Sequence, residues 1–273
     1  MDMKKIVAML FTGGALLMTN SARAESILTT QSGNDIGLSL SSYQYQEPGL
    51  MSSKGGKLGL DLRTTMALEN DLFIRGDLHY AFGMVNYTSN DTGSASGEPD
   101  WYIETRGLAG EDWSIDDAEL AAYTGIGYRY LFNDARGISS TGASGYRRES
   151  NYFYLPLGLN LRTELNDQAK LVSTLEYDLL LSGKQTSRLS DAGLGHSDLT
   201  NKQSNGYGVK LSIIYEKDNW AIGPYALYWN IGESDWVPLY RNGVPVFKNG
   251  FPLGGVEPQN DTTEFGVKAS QKF

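Results

Sequence analysis

Apolar and polar residues alternate with a period of two along much of this chain. The final residues show the pattern clearly. One set is largely apolar and ends on an aromatic residue: Thr263, Phe265, Val267, Ala269, Gln271 and Phe273. The intervening set is polar or small: Glu264, Gly266, Lys268, Ser270 and Lys272. Because successive side chains of a strand point to opposite faces, this spacing predicts a strand with one apolar face and one polar face.

Eight further segments repeat this alternation, and a ninth does so weakly. The eight clear segments are residues 36–41, 58–68, 72–83, 119–130, 153–164, 170–181, 207–216 and 225–231. In the last of these we assign Tyr225, Leu227, Trp229 and Ile231 to the outward face. The weak segment is Trp101–Leu108, with Trp101, Ile103 and Thr105 outward. The repetition predicts an all-β domain of about ten strands.

The lengths of the connections support this strand count. Short connections are expected at 69–71, 165–169 (with the turn Asn166-Asp167) and 217–219, and long ones at 47–55, 133–149, 185–204 and 234–260. Including the weak strand, with a turn at Ala109–Asp112, places every long loop on one side and both termini on the other. That arrangement predicts a closed antiparallel transmembrane β-barrel of ten strands, with eight as the alternative if residues 100–131 fold differently.

The N-terminus has the features of a secretory signal peptide. Lys4 and Lys5 precede the apolar run 6–17, and Ala22-Arg23-Ala24 gives a small-x-small cleavage site. We therefore expect residues 1–24 to be removed and residues 25–273 to form one barrel domain. Beyond the signal peptide no apolar stretch is long enough to predict a transmembrane helix.

Charge and composition exclude some classes of partner. Removing Lys4, Lys5 and Arg23 from 23 basic residues, and Asp2 from 32 acidic residues, leaves 20 against 31, a net charge of −11. This balance argues against nucleic acid as a partner, because phosphate binding needs clustered basic residues. The chain has no cysteine, and its sequence predicts no cofactor and no metal site.

Together these features resemble the outer-membrane β-barrel proteins of Gram-negative bacteria. The resemblance implies a location in the cell outer membrane, contact with outer-membrane lipid and lipopolysaccharide, and recognition of the C-terminal strand ending at Phe273 by the barrel assembly machinery. Arg136, Arg147 and Arg148 in loop 133–149 are candidates for contact with lipopolysaccharide phosphates.

The polar face of the predicted strands would line the barrel lumen. Its charged residues are Asp61, Arg63, Arg75, Asp77, His79, Glu104, Arg106, Glu119, Arg129, Arg162, Glu164, Lys170, Glu176, Asp178, Lys210 and Lys268. Because a ten-stranded barrel is narrow, these mixed charges favour a filled lumen over a conducting one. The aromatic residues assigned to the interfacial girdles are Tyr80, Phe82, Tyr128, Tyr130, Phe132, Tyr225 and Trp229.

Two pairs of residues in predicted loops are candidates for hydrolytic chemistry. Glu98 and Asp100 precede Trp101 after the third strand, and His196 and Asp198 lie in the loop after the seventh. If the pairs converged across the barrel mouth, the carboxylates would hold a water and the imidazole would act as its base. The other histidine, His79, is interpreted as a member of the lumen network.

These pairs, in the second and fourth extracellular loops of a ten-stranded barrel, are similar to those of the omptins, a family of outer-membrane aspartate/histidine endopeptidases. The resemblance implies Glu98 and Asp100 as the water-holding pair and His196 and Asp198 as the His–Asp pair. The family pattern is Asp-x-Asp and Asp-x-His, whereas this chain has Glu-x-Asp and His-x-Asp.

The overall interpretation is a cell-surface scaffold that displays its loops in the manner of an adhesin. Loop 234–260 has two Asn-Gly turn signals among apolar residues, which predicts a projecting ribbon that contacts an extracellular ligand or packs over the barrel mouth. The alternatives are an omptin-like endopeptidase, a narrow porin-like channel and, ranked last for want of a Ser–His arrangement, a lipid-modifying barrel.

Overall fold

A computed structural model describes residues 27–166 and 168–273. The expected signal peptide, 1–24, and Asp167 of the expected Asn166-Asp167 turn lie outside these residues. The barrel strands are β1 Gly33–Glu47, β2 Met51–Ala67, β3 Leu72–Ser89, β4 Gly93–Ile115, β5 Ala118–Asp134, β6 Arg147–Asn166, β7 Ala169–Ser187, β9 Gly206–Lys217, β10 Trp220–Ile231 and β17 Asn260–Lys272. The loops contain β8 Leu199–Gln203, β11 Val237–Pro238, β12 Tyr240–Arg241, β13 Val244–Pro245, β14 Phe247–Lys248, β15 Phe251–Pro252, β16 Gly254–Gly255 and a 3-10 helix, Leu189–Ala192.

The ten long strands form one closed antiparallel barrel. Each pairs with its neighbour along the chain, and β1 pairs with β17 to close the sheet. The seam is in continuous register, with Ile36 opposite Gln271 and Leu40 opposite Val267. The prediction of ten strands is therefore confirmed, and the alternative of eight is wrong. In the described part of the chain no helix is both long enough and apolar enough to span a membrane.

The outer surface of the barrel is an apolar belt. Aliphatic and aromatic side chains on the predicted outward faces are largely exposed, for example Leu40 at 67% and Phe265 at 61%. Trp101 packs on Tyr130 and Phe132 outside the barrel near its extracellular end. An apolar band ending in aromatic side chains matches the surface that a barrel presents to lipid.

The fourth strand is longer than its sequence pattern predicts. β4 runs from Gly93 to Ile115, so the expected turn at Ala109–Asp112 is wrong. The chain reverses instead after Ile115, where Asp116 takes a left-handed φ of 49° that Asp tolerates. Asp112 lies on the inward face of β4 and is buried. The small and polar residues at 109–112 suggested a turn, but residues of a strand that face the lumen are polar as well.

The assignment of faces on β10 is also wrong. Leu227, Trp229 and Ile231 are buried inside the barrel, and Tyr225 donates to the lumen residue Glu264. The outward residues are instead Ile222 and its alternate neighbours. A shift of one residue exchanges the two faces of a strand, and β10 has aromatic residues on both, so its alternation was ambiguous.

The predicted long loop 47–55 and the loop expected after the third strand are both tight turns. Residues 48–50 join β1 to β2, and residues 90–92 join β3 to β4, because these strands continue past the apolar belt. Much of the expected loop 47–55 is therefore strand. The longer connections, 135–146, 188–205 and 232–259, all lie on the same side of the barrel, opposite the short turns and both termini.

The segment before β1 folds into the barrel end that carries the short turns. Arg162 donates to the Leu28 carbonyl at 3.1 Å and to the Thr30 hydroxyl at 2.7 Å. Asp112 accepts from the Thr30 amide, and Lys170 donates to the Ile27 carbonyl at 2.6 Å. Since these residues belong to β4, β6 and β7, residues 27–30 are held against three strands at this end of the barrel.

Candidate functional site: the bore and the extracellular mouth

Hydrogen bonds cross the bore from β4 at three successive inward positions. Tyr102 donates to Glu264 on β17 at 2.8 Å. Glu104 accepts from Lys210 on β9 at 2.7 Å. Arg106 binds Glu176 on β7 through one nitrogen, at 2.7 and 2.9 Å. Because each partner lies on a distant strand, the bonds span the interior instead of following its wall.

Further lumen residues form contacts of the same kind. Asp77 accepts from Arg63 at 2.9 Å and Arg106 at 2.6 Å, and it pairs with Arg75 at 3.3 Å. The two nitrogens of His79 contact Asp61 and Tyr102. Three more contacts are Arg129 with Glu104, Arg162 with Asp112, and Lys210 with Asp178. A cavity of about 190 Å³ is left among these side chains.

An apolar cluster lies inside the barrel on the extracellular side of the charge network. It comprises Tyr152, Tyr154, Leu180, Leu227, Trp229 and Ile231. Trp229 packs edge-on against Tyr154 and is 2% exposed. The sequence interpretation missed this cluster because it placed Trp229 in an outer girdle. The cluster therefore makes part of the barrel interior apolar.

The extracellular mouth holds a larger cavity of about 610 Å³. Its wall includes Arg148, which pairs with Glu47 at 2.6 Å and also with Glu257. Burial raises the pKa of Glu257, Arg148 lowers it, and the nearby Glu47 raises it, with a net increase. The mouth therefore carries two carboxylates for one guanidinium at this point.

The predicted acidic pair lies inside β4 and not in a loop. Glu98 and Asp100 are both buried on its inward face. Asn133 donates to Asp100 at 3.1 Å and, at 3.5 Å, to Glu98. Asp100 also forms an ion pair with Lys57. Lys57 continues the inward series Gly59, Asp61 and Arg63 of β2, so the same alternation identifies it as a lumen residue.

The predicted His–Asp pair remains in a loop, between the 3-10 helix and β8. Asp198 accepts from Arg188 at 3.0 Å and from the Ser190 hydroxyl at 2.7 Å. Burial acts to raise the pKa of Asp198, but the bonds from Ser190 and Arg188 outweigh it and hold the pKa below its ordinary value. His196 forms a backbone bridge to Arg241 in the following loop.

The structure places these two pairs in different surroundings. Within the described residues no hydrogen bond or ion pair joins them. Glu98 lines the mouth cavity, whereas neither His196 nor Asp198 does. Asp100 is already paired with Lys57, and Asp198 with Arg188. In this arrangement Glu98 can accept hydrogen bonds at the mouth cavity, while Asp198 is bonded by Arg188 and Ser190 within its loop.

The three arginines proposed to contact lipopolysaccharide also have carboxylate partners. Arg136 pairs with Asp134 at 2.6 Å, and Arg147 pairs with Asp191 at 2.8 Å. Arg148 is half-buried in the wall of the mouth. Arg147 therefore ties two separate segments at the surface, whereas Arg136 bonds a carboxylate two residues away and Arg148 points into the mouth.

A closed strand cylinder with an apolar belt and a polar bore is the architecture of bacterial outer-membrane β-barrels. The outer membrane protease OmpT from Escherichia coli shares this fold, with a TM-score of 0.57 and 13% sequence identity over 91% of this chain and 99% of OmpT. The transport unit of the autotransporter AIDA-I from Escherichia coli gives a TM-score of 0.44, with 8% identity over 98% and 97% of the two chains. No family model matches the sequence, and no curated protein matches it.

Proposed function

We propose that this protein is a Gram-negative outer-membrane barrel with a closed bore, and that it acts as a cell-surface scaffold for its extracellular loops. The observation that carries the proposal is a set of bonds that hold the long loops. Arg147, the first residue of β6, bonds Asp191 in the loop after β7. Asn201 donates to the Asp235 and Gly255 carbonyls of the loop after β10, both at 3.1 Å.

A preorganised platform is what a display function needs, because ordering flexible loops on binding costs affinity. The closed bore fits the same role, since bonded side chains from β4, β7, β9 and β17 occupy its cross-section. A porin-like channel would need a continuous water path. Planar-bilayer recordings of the refolded protein should therefore show no discrete conductance steps, and regular steps would favour the channel instead.

Adhesion of intact cells tests the display role. Cells that carry the protein should attach to a target surface, such as cultured host cells, more than cells without it. Replacing residues 239–253 with a Gly-Ser segment of equal length should reduce attachment while the barrel still folds. Equal attachment by both proteins, at equal surface amounts, would argue against loop display.

An endopeptidase is the second candidate. It is favoured by two carboxylates on one face of β4, of which Glu98 lines the mouth cavity and Asp100 follows two residues later, and by the shared fold with OmpT, which is an outer membrane protease. Protein refolded with lipopolysaccharide would then cleave peptides at basic sites, and His196→Ala would abolish the activity. Absence of cleavage by the unaltered protein would eliminate this candidate.

The expected outer-membrane partners belong to the same proposal. The apolar belt would contact membrane lipid and lipopolysaccharide, and the C-terminal strand would be presented to the barrel assembly machinery. Phe273 supports the second contact, because its side chain is 74% exposed at the end of β17. Phe273→Ser should lower the amount of inserted barrel in outer-membrane fractions. N-terminal sequencing of the inserted barrel should give Glu25 as its first residue.

A further inference from the structure

The loop after β10 forms a two-armed ribbon, residues 237–255, which we call the ribbon. Its base is the pair β11 and β16, its first arm is β12 and β13, and its second arm is β14 and β15. Each arm turns at an Asn-Gly pair, Asn242-Gly243 and Asn249-Gly250, with positive φ at both residues. These are the backbone angles of tight type I′ hairpin turns, as the sequence predicts.

The second arm exposes apolar side chains on both of its faces. Phe251 lies opposite Lys248, and Phe247 lies opposite Pro252. Directly paired residues share a face and successive residues alternate, so the two phenylalanines project in opposite directions. Phe251 is 75% exposed and Phe247 is 60% exposed. A partner that contacts only one face would leave one ring in water, whereas a medium that surrounds the arm would bury both.

The charge of this region differs from that of the rest of the chain. Residues 236–256 contain Arg241 and Lys248 and no acidic residue, although the chain as a whole has 32 acidic residues. Basic side chains beside exposed aromatic ones are the combination that binds anionic lipid surfaces, where rings enter the interface and cations remain at the headgroups. Charge complementarity therefore indicates a negatively charged lipid surface.

The base of the ribbon lies outside the lipid-facing belt of its own barrel. Asn201, which holds the base, pairs with Gln185 on β7. Leu181 is the last exposed apolar residue of that strand, and the exposed charge of Lys184 follows it before Gln185 is reached. The arms thus start on the extracellular side of the barrel's own membrane, which favours contact with a second, apposed surface.

We infer that the second arm of the ribbon inserts Phe247 and Phe251 into the anionic lipid surface of an apposed membrane. This inference rests on the proposed display function and names its partner. Lys248 would remain at the headgroups, while the first arm and its contacts to the preceding loop would hold the tip in position. Those contacts include the bridge between His196 and Arg241.

Vesicle flotation tests the inference with the full-length barrel in nanodiscs. Vesicles containing phosphatidylglycerol should bind the barrel, and vesicles of phosphatidylcholine alone should bind it weakly. The double variant Phe247→Ser/Phe251→Ser should bind at least about tenfold more weakly, because two rings no longer leave water. Lys248→Glu should remove the preference for the anionic vesicles. The matched control is Ile138→Ser/Leu194→Ser, which removes exposed apolar residues elsewhere in the loops and should leave binding unchanged.

A site-specific dye locates the inserted segment. The chain has no cysteine, so Pro252→Cys carries the only thiol for an environment-sensitive label. Its emission should shift to the blue when anionic vesicles are added, whereas a label at Thr141→Cys should not respond. If the emission of the Pro252→Cys label is already shifted to the blue before any vesicle is added, the arm lies on the barrel's own bilayer. If both double variants float equally with the vesicles, the two rings have no role in binding. Either result overturns the inference.

A separate experiment tests the proposed display function independently of the lipid partner. A membrane-impermeant maleimide should label Pro252→Cys on intact cells if the loops are displayed, and absence of labelling would contradict the display function itself. Labelling together with cell attachment that is insensitive to Phe247→Ser/Phe251→Ser would retain display and reject the lipid partner.

Discussion

The bore and the mouth use the same residue types for different purposes. In the bore, Arg106 is 12% exposed and its partner Glu176 is 1% exposed. At the mouth, Arg188 is 37% exposed where it bonds Glu149 and Asp198. The bore pair joins β4 to β7 across the interior, whereas Arg188 joins the loop after β7 to β6 and to another part of the same loop. The cavity in the bore measures about 190 Å³ and that in the mouth about 610 Å³. The comparison shows that this buried pair links opposite walls of the barrel, while this more exposed pair holds a loop in place.

The largest loss of stability is expected when an ion pair that crosses the bore is broken. Arg106→Ala removes the cation that Glu176 and Asp77 share in a buried site, although Glu176 keeps Lys210 and Asp77 keeps Arg63 and Arg75. Removing one member of a buried ion pair typically costs about 3–5 kcal/mol, so we expect a loss toward the lower end of this range. Urea unfolding in detergent, followed by gel mobility, measures this loss. Arg136→Ala, which breaks an exposed pair, is the control, and equal losses in both variants would remove the distinction between bore and mouth.

A smaller effect is expected at the end of the bore that carries the short turns. Asp112→Ala removes the acceptor for Thr30 and the partner of Arg162, both buried or half-buried. Because Arg162 keeps the Leu28 carbonyl and the Thr30 hydroxyl as acceptors, we expect the loss of stability to be that of one buried acceptor, about 1–3 kcal/mol. Limited proteolysis should cut within residues 27–32 more readily in this variant. Glu111→Gln, which alters the adjacent outward-facing residue, should leave the cleavage rate unchanged, and cleavage in both variants would indicate general loosening of β4.

Breaking a mouth pair should loosen loops without unfolding the barrel. Arg188→Ala removes the bonds to Glu149 and Asp198 that tie the segment before β8 to β6. Partly exposed pairs contribute about 0–1 kcal/mol, so the global unfolding midpoint should barely move. Hydrogen exchange at residues 188–198 should nevertheless accelerate. A drop in global stability as large as that of Arg106→Ala would contradict the proposed contrast.

The smallest effect is expected for the pH dependence of stability that Glu257 causes at the mouth. The pKa of Glu257 is raised in the folded protein, so protonation favours folding: this contribution is present below the carboxyl's unfolded pKa and is lost as pH rises through the folded value. Glu257→Gln should therefore be neutral or slightly stabilising at pH 7, and this difference should shrink as the pH is lowered. Thermal unfolding at pH 7 and pH 4 measures it. A variant that is strongly destabilised at pH 7 would show that the ion pair with Arg148 outweighs burial.

The alternation of side chains predicts most of the barrel because lipid and lumen impose opposite polarity on neighbouring residues. It fails on β10, where the lumen itself is aromatic around Trp229, and no polarity difference identifies the faces. It also underestimates the length of β4, because the part of the strand that extends beyond the membrane does not need an apolar outer face. The Asn-Gly turns of the ribbon were predictable, since their backbone angles are a local property.

The candidate site was less predictable. Glu98 and Asp100 could be placed on one face from their spacing, but Lys57 pairs with Asp100 through the register of three strands. The partners of Arg106 and Lys210 depend on which strands lie opposite one another across the closed barrel. Such relations follow from strand tilt and closure, and not from any local pattern.

The docked segment 27–30 also constrains the order of folding. Its partners Asp112, Arg162 and Lys170 lie on strands from the middle of the chain, so they are brought together only after those strands have paired. The segment leads directly into β1, which must in turn meet β17 to complete the cylinder. Protection of these few residues from a protease would therefore report, without any label, that β4, β6 and β7 have come together.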